Sequence, residues 1–110
     1  MEVPPEIKNM KRQIEFKRCL VCSTEHLTYE DNLLLSKATS ENWVFGYDYG
    51  FVIDLWKRHH FVLHAKRFGL SKDFRKLIFT LIKKYEIEMI QFDCDADIIE
   101  GVKLHKSDYW

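Results

Sequence analysis

The chain has 110 residues, of which 46% are hydrophobic and 15% aromatic, and its 17 basic and 17 acidic residues leave no net formal charge. This length and composition predict a single domain with its own hydrophobic core, and they exclude a low-complexity or disordered protein. No apolar run approaches the roughly 20 residues that a transmembrane helix needs, so a membrane protein is not expected.

The cysteines predict a reducing environment. Cys19, Cys22 and Cys94 are odd in number and irregularly spaced, which favours free thiols in a cytoplasmic protein. The N-terminus lacks the apolar middle of a secretory signal. Residues three apart in a strand point to opposite faces, so Cys19 and Cys22 are not expected to share a zinc ion. Buried structural thiols and no cofactor are therefore expected.

The predicted elements begin with residues 1–15, a charged arm or loosely docked helix, and continue with one domain over residues 16–110. The segment from Phe16 to Ser23 is short and rich in β-favouring residues, which predicts the first strand. A helix is predicted over Thr28–Ala38, because its first residue is a good N-cap and Asp31 follows three positions later.

Two further strands are predicted between Trp43 and Trp56. Aromatic and β-branched residues flank Asp48–Gly50, which is typical of a hairpin with a short turn. A strand or extended segment is predicted over Phe61–His64, and this assignment keeps His60 and His64 from sharing a face.

The clearest element is an amphipathic helix that begins after Ser71, a favourable N-cap. Its apolar residues recur at the spacing of one helix face: Phe74, Leu77, Ile78, Leu81, Ile82 and Tyr85. A last strand is predicted over Glu88–Phe92. Together the elements predict an α+β fold, with a mainly antiparallel sheet of about four to five strands packed against two helices.

Charge is strongly segregated along the chain. Nine basic residues and one acid lie between Lys57 and Lys84, whereas six acids and no lysine or arginine lie between Glu86 and Val102. A neutral total therefore conceals a molecule that is expected to have an electric dipole.

The acidic segment includes Asp93, Asp95 and Asp97, which come directly after the last predicted strand. Alternating carboxylates at a strand end can bind Mg²⁺ or Ca²⁺ through oxygen atoms, although a solvated acidic turn is the commoner outcome. One alternative function is therefore a metal-dependent hydrolase or nuclease that uses these acids with His26 or His64.

The basic stretch Lys57–Lys84 suggests a second alternative, a nucleic-acid-binding accessory protein. Lysines and arginines would follow the phosphate backbone, with Trp56, Phe61 and Phe68 as stacking partners. This alternative is not favoured, because the chain lacks the overall basic excess that is typical of dedicated nucleic-acid binders.

Several stretches together resemble a family of small, uncharacterised bacterial proteins encoded on plasmids, phages and integrated elements. The matching stretches are Ser23–Thr28 with Asp31, Arg67–Ser71 with Arg75–Leu77, and Phe92–Asp95 with Ile99, Gly101 and the closing Trp110. The resemblance implies a small α+β domain and a mobile-element setting. It implies no reaction and no catalytic residues.

These observations favour a non-enzymatic interaction protein that binds a protein partner; a host-defence inhibitor such as an anti-CRISPR protein is one concrete form. A homodimer is a third alternative. The expected contact residues are two charged groups and a closing aromatic pair: Arg67, Lys72, Arg75 and Lys76; Asp93, Asp95 and Asp97; Tyr109 and Trp110.

Overall fold

The computed structural model describes residues 15–56 and 58–105. In chain order these residues form β1 (Cys19–Ser23), a 3-10 turn (Thr24–His26), α1 (Tyr29–Ala38), β2 (Val44–Tyr47), β3 (Gly50–Asp54), α2 (Arg58–Phe68), α3 (Lys72–Tyr85) and β4 (Met89–Asp93). The predicted α+β class is confirmed. The predicted arm over residues 1–15 lies almost wholly outside the described residues and stays a prediction, as does the role of Tyr109 and Trp110.

The four strands form one mixed sheet in the order β1-β4-β3-β2. The pairs β2–β3 and β3–β4 are antiparallel, as expected, but β1 runs parallel to β4. Parallel neighbours need a long crossover, and here everything from the 3-10 turn to the end of α3 connects the two strands. Among the described elements there are three α-helices, one more than the sequence predicts.

The predicted hairpin is confirmed as β2 and β3, joined by Asp48 and Tyr49. Gly50 begins β3. This position requires glycine, because a Cβ atom there would overlap the backbone carbonyl of Phe92 on the neighbouring strand β4. The close approach brings the tip of the hairpin beside the end of β4, and Cys94 N donates to Tyr49 O at 2.8 Å.

Both predicted helix starts are confirmed. Thr28 caps α1 by accepting a hydrogen bond from Asp31 N at 3.0 Å. Ser71 caps α3 by accepting from Phe74 N at 3.1 Å. The buried stripe of α3 begins at Phe74, whose ring lies 6.2 Å from that of Phe92 in the sheet.

The prediction of an extended segment over Phe61–His64 is wrong, because these residues lie within α2. Phe61 and Ala65 are buried and Phe68 is half-buried, a spacing of four and three that places them on one helix face. The short run Phe-Val-Leu favours a strand locally, but packing of that face against the core decides the structure.

The core lies on one side of the sheet. The inward residues of the strands include Cys22, Ile53, Ile90 and Phe92, and they form one buried cluster with apolar residues of all three helices. Burial raises the pKa of Cys22 to about 12, as expected for a structural thiol. Cys19 is exposed, so the prediction of a buried thiol is wrong for this residue; Cys94 is exposed as well.

Strand alternation directs the other side chains to the opposite side of the sheet, which we call the open face. Its members are Cys19, Val21, Phe45, Tyr47, Val52, Asp54, Met89, Gln91 and Asp93. Val21, Phe45 and Tyr47 are exposed. Among the described residues, no helix is long and apolar enough to cross a membrane.

Candidate functional site

A chain of hydrogen bonds crosses one end of the open face. Gln91 Nε2 donates to the Tyr47 hydroxyl oxygen at 2.8 Å, and the Tyr47 hydroxyl donates to Asp93 Oδ2 at 2.6 Å. Desolvation, followed by the bond to Asp93, raises the pKa of Tyr47. The phenol therefore stays protonated and orients the carboxylate of Asp93.

Asp93 also organises the acidic turn that follows β4. Its Oδ1 accepts a hydrogen bond from Asp95 N at 2.8 Å, and its backbone oxygen accepts from Ala96 N at 3.1 Å. The bond from Tyr47, followed by the bond from the Asp95 backbone, lowers the pKa of Asp93. The turn therefore presents a fixed negative charge at neutral pH.

The geometry for a metal ion is incomplete. Ligand atoms of Asp93, Cys94 and Asp95 lie within 4.8 Å of one another, but Asp97 does not belong to this group. Both carboxylate oxygens of Asp93 already accept hydrogen bonds. Desolvation and the neighbouring acids raise the pKa of the Cys94 thiol, and a protonated thiol is a poor metal ligand.

The two histidines of the metal-dependent alternative have other roles. His26 is buried; its Nε2 accepts from Ile99 N at 2.8 Å, so the proton resides on Nδ1, which lies 3.1 Å from Lys103 O. The His64 ring packs edge-on against Trp43 at 4.8 Å between centroids. Among the described residues, neither histidine joins the acidic group.

A shallow pocket of about 290 Å³ lies at the hairpin tip, and it is also lined by Cys94 of the acidic turn, Thr24 of the 3-10 turn and Asn32 of α1. The Tyr47 and Tyr49 rings meet edge-on there at 6.3 Å, and Asp48 lies between them in sequence. Tyrosine faces and carboxylates both attract cations, so this end of the molecule suits arginine or lysine side chains.

The predicted basic contact residues belong to the helices instead. Arg67, Lys72 and Lys76 are exposed, and Arg75 is half-buried, with its Nε donating to Leu70 O at 3.3 Å. Asp73 lies among them in sequence, and its Oδ2 is 3.3 Å from Lys103 Nζ and 3.6 Å from His105 Nε2. The charged groups therefore occupy different layers of the fold.

The stacking partners predicted for a nucleic acid are mostly in the core. Phe61 is buried and Phe68 is half-buried against the same cluster, so only Trp56 of the three is exposed. Base stacking needs an accessible ring face. The aromatic part of the nucleic-acid prediction is therefore wrong for Phe61 and Phe68, while the basic stretch itself stays a prediction.

Sequence reasoning missed the contact that joins α1 to α3. Asp31 is buried, and its carboxylate accepts from Ser71 N at 2.8 Å and from Ser71 Oγ at 2.5 Å. Both residues were recognised as parts of helix caps, but nothing in their spacing shows that the two caps meet. The Gln91–Tyr47–Asp93 chain was missed for the same reason, because its partners come from separate strands.

The family to which the chain belongs is identified by residues 19–107, which match the model of a C-terminal domain described as a family of unknown function, DUF5983. The match spans every strand and helix described above. No curated protein and no solved structure matches the chain.

Proposed function

We propose that this member of the DUF5983 family is a non-enzymatic interaction protein that binds a protein partner through the open face. The observation that carries the proposal is that, within residues 15–56 and 58–105, the three helices pack on one side of the sheet only. On the other side, Val21 is 52%, Phe45 is 55% and Tyr47 is 37% exposed. Exposed apolar groups of this kind are typical of interaction sites.

The composition of the open face supports the same proposal. Aromatic residues are the side chains that most often dominate the binding energy of interfaces, especially when a partner excludes water around them. Phe45 and Tyr47 lie on the edge strand β2, with Val52 and Gln91 on the strands beside them. A rigid sheet presents these groups without the entropic cost of ordering a loop.

The setting of this interaction is also a proposal. The resemblance to proteins of plasmids, phages and integrated elements implies a mobile-element setting, and we adopt that setting as part of the proposal. We therefore propose a partner in the bacterial cytoplasm, with a host-defence complex, as for an anti-CRISPR protein, as the first class to test.

The proposal is tested by affinity purification of the tagged full chain from a bacterial lysate, with captured proteins quantified by mass spectrometry. We expect one stoichiometric partner that Phe45→Thr loses, because the substitution removes the aromatic ring and keeps a residue that favours strands. Phe79→Gln is the matched control, since Phe79 is 52% exposed but lies on α3. Equal loss with both variants, or no stoichiometric partner, would contradict the proposal.

A metal-dependent hydrolase is a second candidate, favoured only by the proximity of Asp93, Cys94 and Asp95. It requires Mg²⁺, Mn²⁺ or Zn²⁺ to raise the thermal midpoint of the wild type, because a ligand that binds the folded state stabilises it. The shift should disappear in Asp95→Asn. An unchanged midpoint with all three ions would remove this candidate.

A further inference from the structure

We propose that the partner of the open face is cationic: a protein segment whose apolar side chains cover Val21 and Phe45 and whose arginine or lysine side chains contact the acidic rim. The acidic rim comprises Asp48 at the hairpin tip, Asp93 at the end of β4 and Asp95 in the turn that follows. This inference rests on the proposed function and adds the chemistry of the partner.

The apolar part of the surface follows from strand register. Val21, Gln91, Val52 and Phe45 are paired in succession across β1, β4, β3 and β2, so they form one row across the open face. The two ends of the row, Val21 and Phe45, are also its most exposed members. An apolar segment laid across this row would bury both ends together.

At the end of the open face that carries the acidic rim, the strands and their turns contribute negative charge only. No lysine or arginine occurs in residues 44–54 or 89–102, which provide β2, β3, β4 and the turns at their ends. Asp54, at the far end of the hairpin, is paired with Lys17 at 3.6 Å. The segments that form the acidic rim therefore contribute no lysine or arginine to the surface around it.

The aromatic rings strengthen the same preference. Tyr47 and Tyr49 flank Asp48 and line the pocket between the hairpin tip and Cys94. A cation beside a tyrosine face is attracted by the negative face of the ring, and an adjacent carboxylate adds a charge-assisted hydrogen bond. The bond from Tyr47 also holds Asp93 ionised and in place.

The cations of the chain are concentrated elsewhere. Seven lysines and arginines lie in α2 and α3 after position 65, on the helical side of the molecule: Lys66, Arg67, Lys72, Arg75, Lys76, Lys83 and Lys84. A cationic partner is thus attracted to the acidic rim and repelled from the helices, which orients its approach. A phosphate backbone would be repelled from the open face.

The test is an NMR titration of the ¹⁵N-labelled full chain with two ten-residue probe peptides, one alternating leucine with arginine and the other leucine with glutamate. We expect the arginine peptide to shift the amides of β2, Asp48, Tyr49, Cys94 and Asp95, with binding that weakens as salt rises. The glutamate peptide should leave them unchanged.

Charge reversal locates the contact. Asp48→Lys with Asp95→Lys should weaken the arginine peptide about tenfold or more, equivalent to about 1.4 kcal/mol. Glu30→Lys with Glu41→Lys is the matched control, because it makes the same change in net charge at exposed acids that do not belong to the acidic rim. Thermal unfolding shows whether each variant is folded. The salt dependence of peptide binding is measured on the wild type, so this test of the charge of the contact does not depend on a variant that folds.

Three outcomes would overturn the inference: shifts confined to α2 and α3, equal weakening by both double variants, or preference for the glutamate peptide. A fourth such outcome comes from sedimentation of the protein without any peptide. Self-association that Phe45→Thr abolishes would assign the open face to a second copy. These results would contradict the inferred chemistry of the partner. The absence of any stoichiometric partner in the lysate would instead contradict the proposed function.

Discussion

At the scale of single residues, the buried carboxylate of Asp31 joins two helices by binding Ser71, a residue 40 positions further along the chain. It is 2% exposed, and its two oxygens accept the backbone and side-chain hydrogens of Ser71. A buried charge is tolerated only when its hydrogen bonds are made. The Asp31–Ser71 contact therefore fixes the start of α3 against α1.

We expect Asp31→Asn to lower the free energy of unfolding by about 2 kcal/mol, because a charge-assisted bond is lost and a polar group is left poorly paired. Urea denaturation measures the change. Glu30→Gln is the control: it neutralises the exposed acid next to Asp31 in α1 and should shift stability by less than about 0.5 kcal/mol. Equal effects of the two substitutions would show that Asp31 has no special role.

Tyr47 controls the ionisation of Asp93. We expect Tyr47→Phe to raise the pKa of Asp93 towards its ordinary value, since the hydroxyl is the main cause of the lowering. A carboxyl with a lowered pKa in the folded state adds stability above its unfolded pKa, and this contribution disappears as pH falls through the folded pKa. The stability difference between wild type and Tyr47→Phe should therefore shrink on acidification.

The measurement for Tyr47 is a carboxyl ¹³C titration of Asp93 in both proteins. Tyr49→Phe is the control, because the hydrogen bond to Asp93 comes from Tyr47 alone of the two tyrosines. An Asp93 pKa that is the same in wild type and Tyr47→Phe would disprove the role of the hydroxyl.

At the scale of elements, the sequence correctly predicted the features that depend on residues close together in the chain. Thr28 and Ser71 each marked a helix start, and the spacing of apolar residues located the buried face of α3. The helix α2 was missed because its run Phe61–Leu63 also suits a strand, and only packing against Trp43 and the core distinguishes the two. The parallel pairing of β1 with β4 is equally non-local.

The two caps should differ in strength. We expect Thr28→Ala to cost about 1 kcal/mol of unfolding free energy, the ordinary value for a lost N-cap. Ser71→Ala should cost about 2–3 kcal/mol, because it also removes the hydroxyl that donates to Asp31. Urea unfolding of both variants under one set of conditions provides the comparison. A larger loss for Thr28→Ala would contradict the assignment of Asp31 to the second cap.

At the scale of the whole molecule, the sequence predicted the segregation of charge but not its placement. The acidic turn Asp93–Asp97 was recognised because its residues are contiguous. The tyrosines that accompany it were not, since Tyr47 and Asp93 are brought together by the pairing of β2 with β3 and of β3 with β4. The open face itself depends on which side the helices cover, and strand periodicity alone does not specify that side.

Hydroxyl-radical footprinting of the affinity-purified complex tests whether a partner covers the open face. Oxidation of Phe45, Tyr47 and Tyr49, all exposed in the free protein, should fall several-fold on binding. Phe79, which is similarly exposed on α3, serves as the internal reference and should be oxidised as before. Protection of Phe79 with Phe45 and Tyr47 still oxidised would place the partner on the helices and contradict the account.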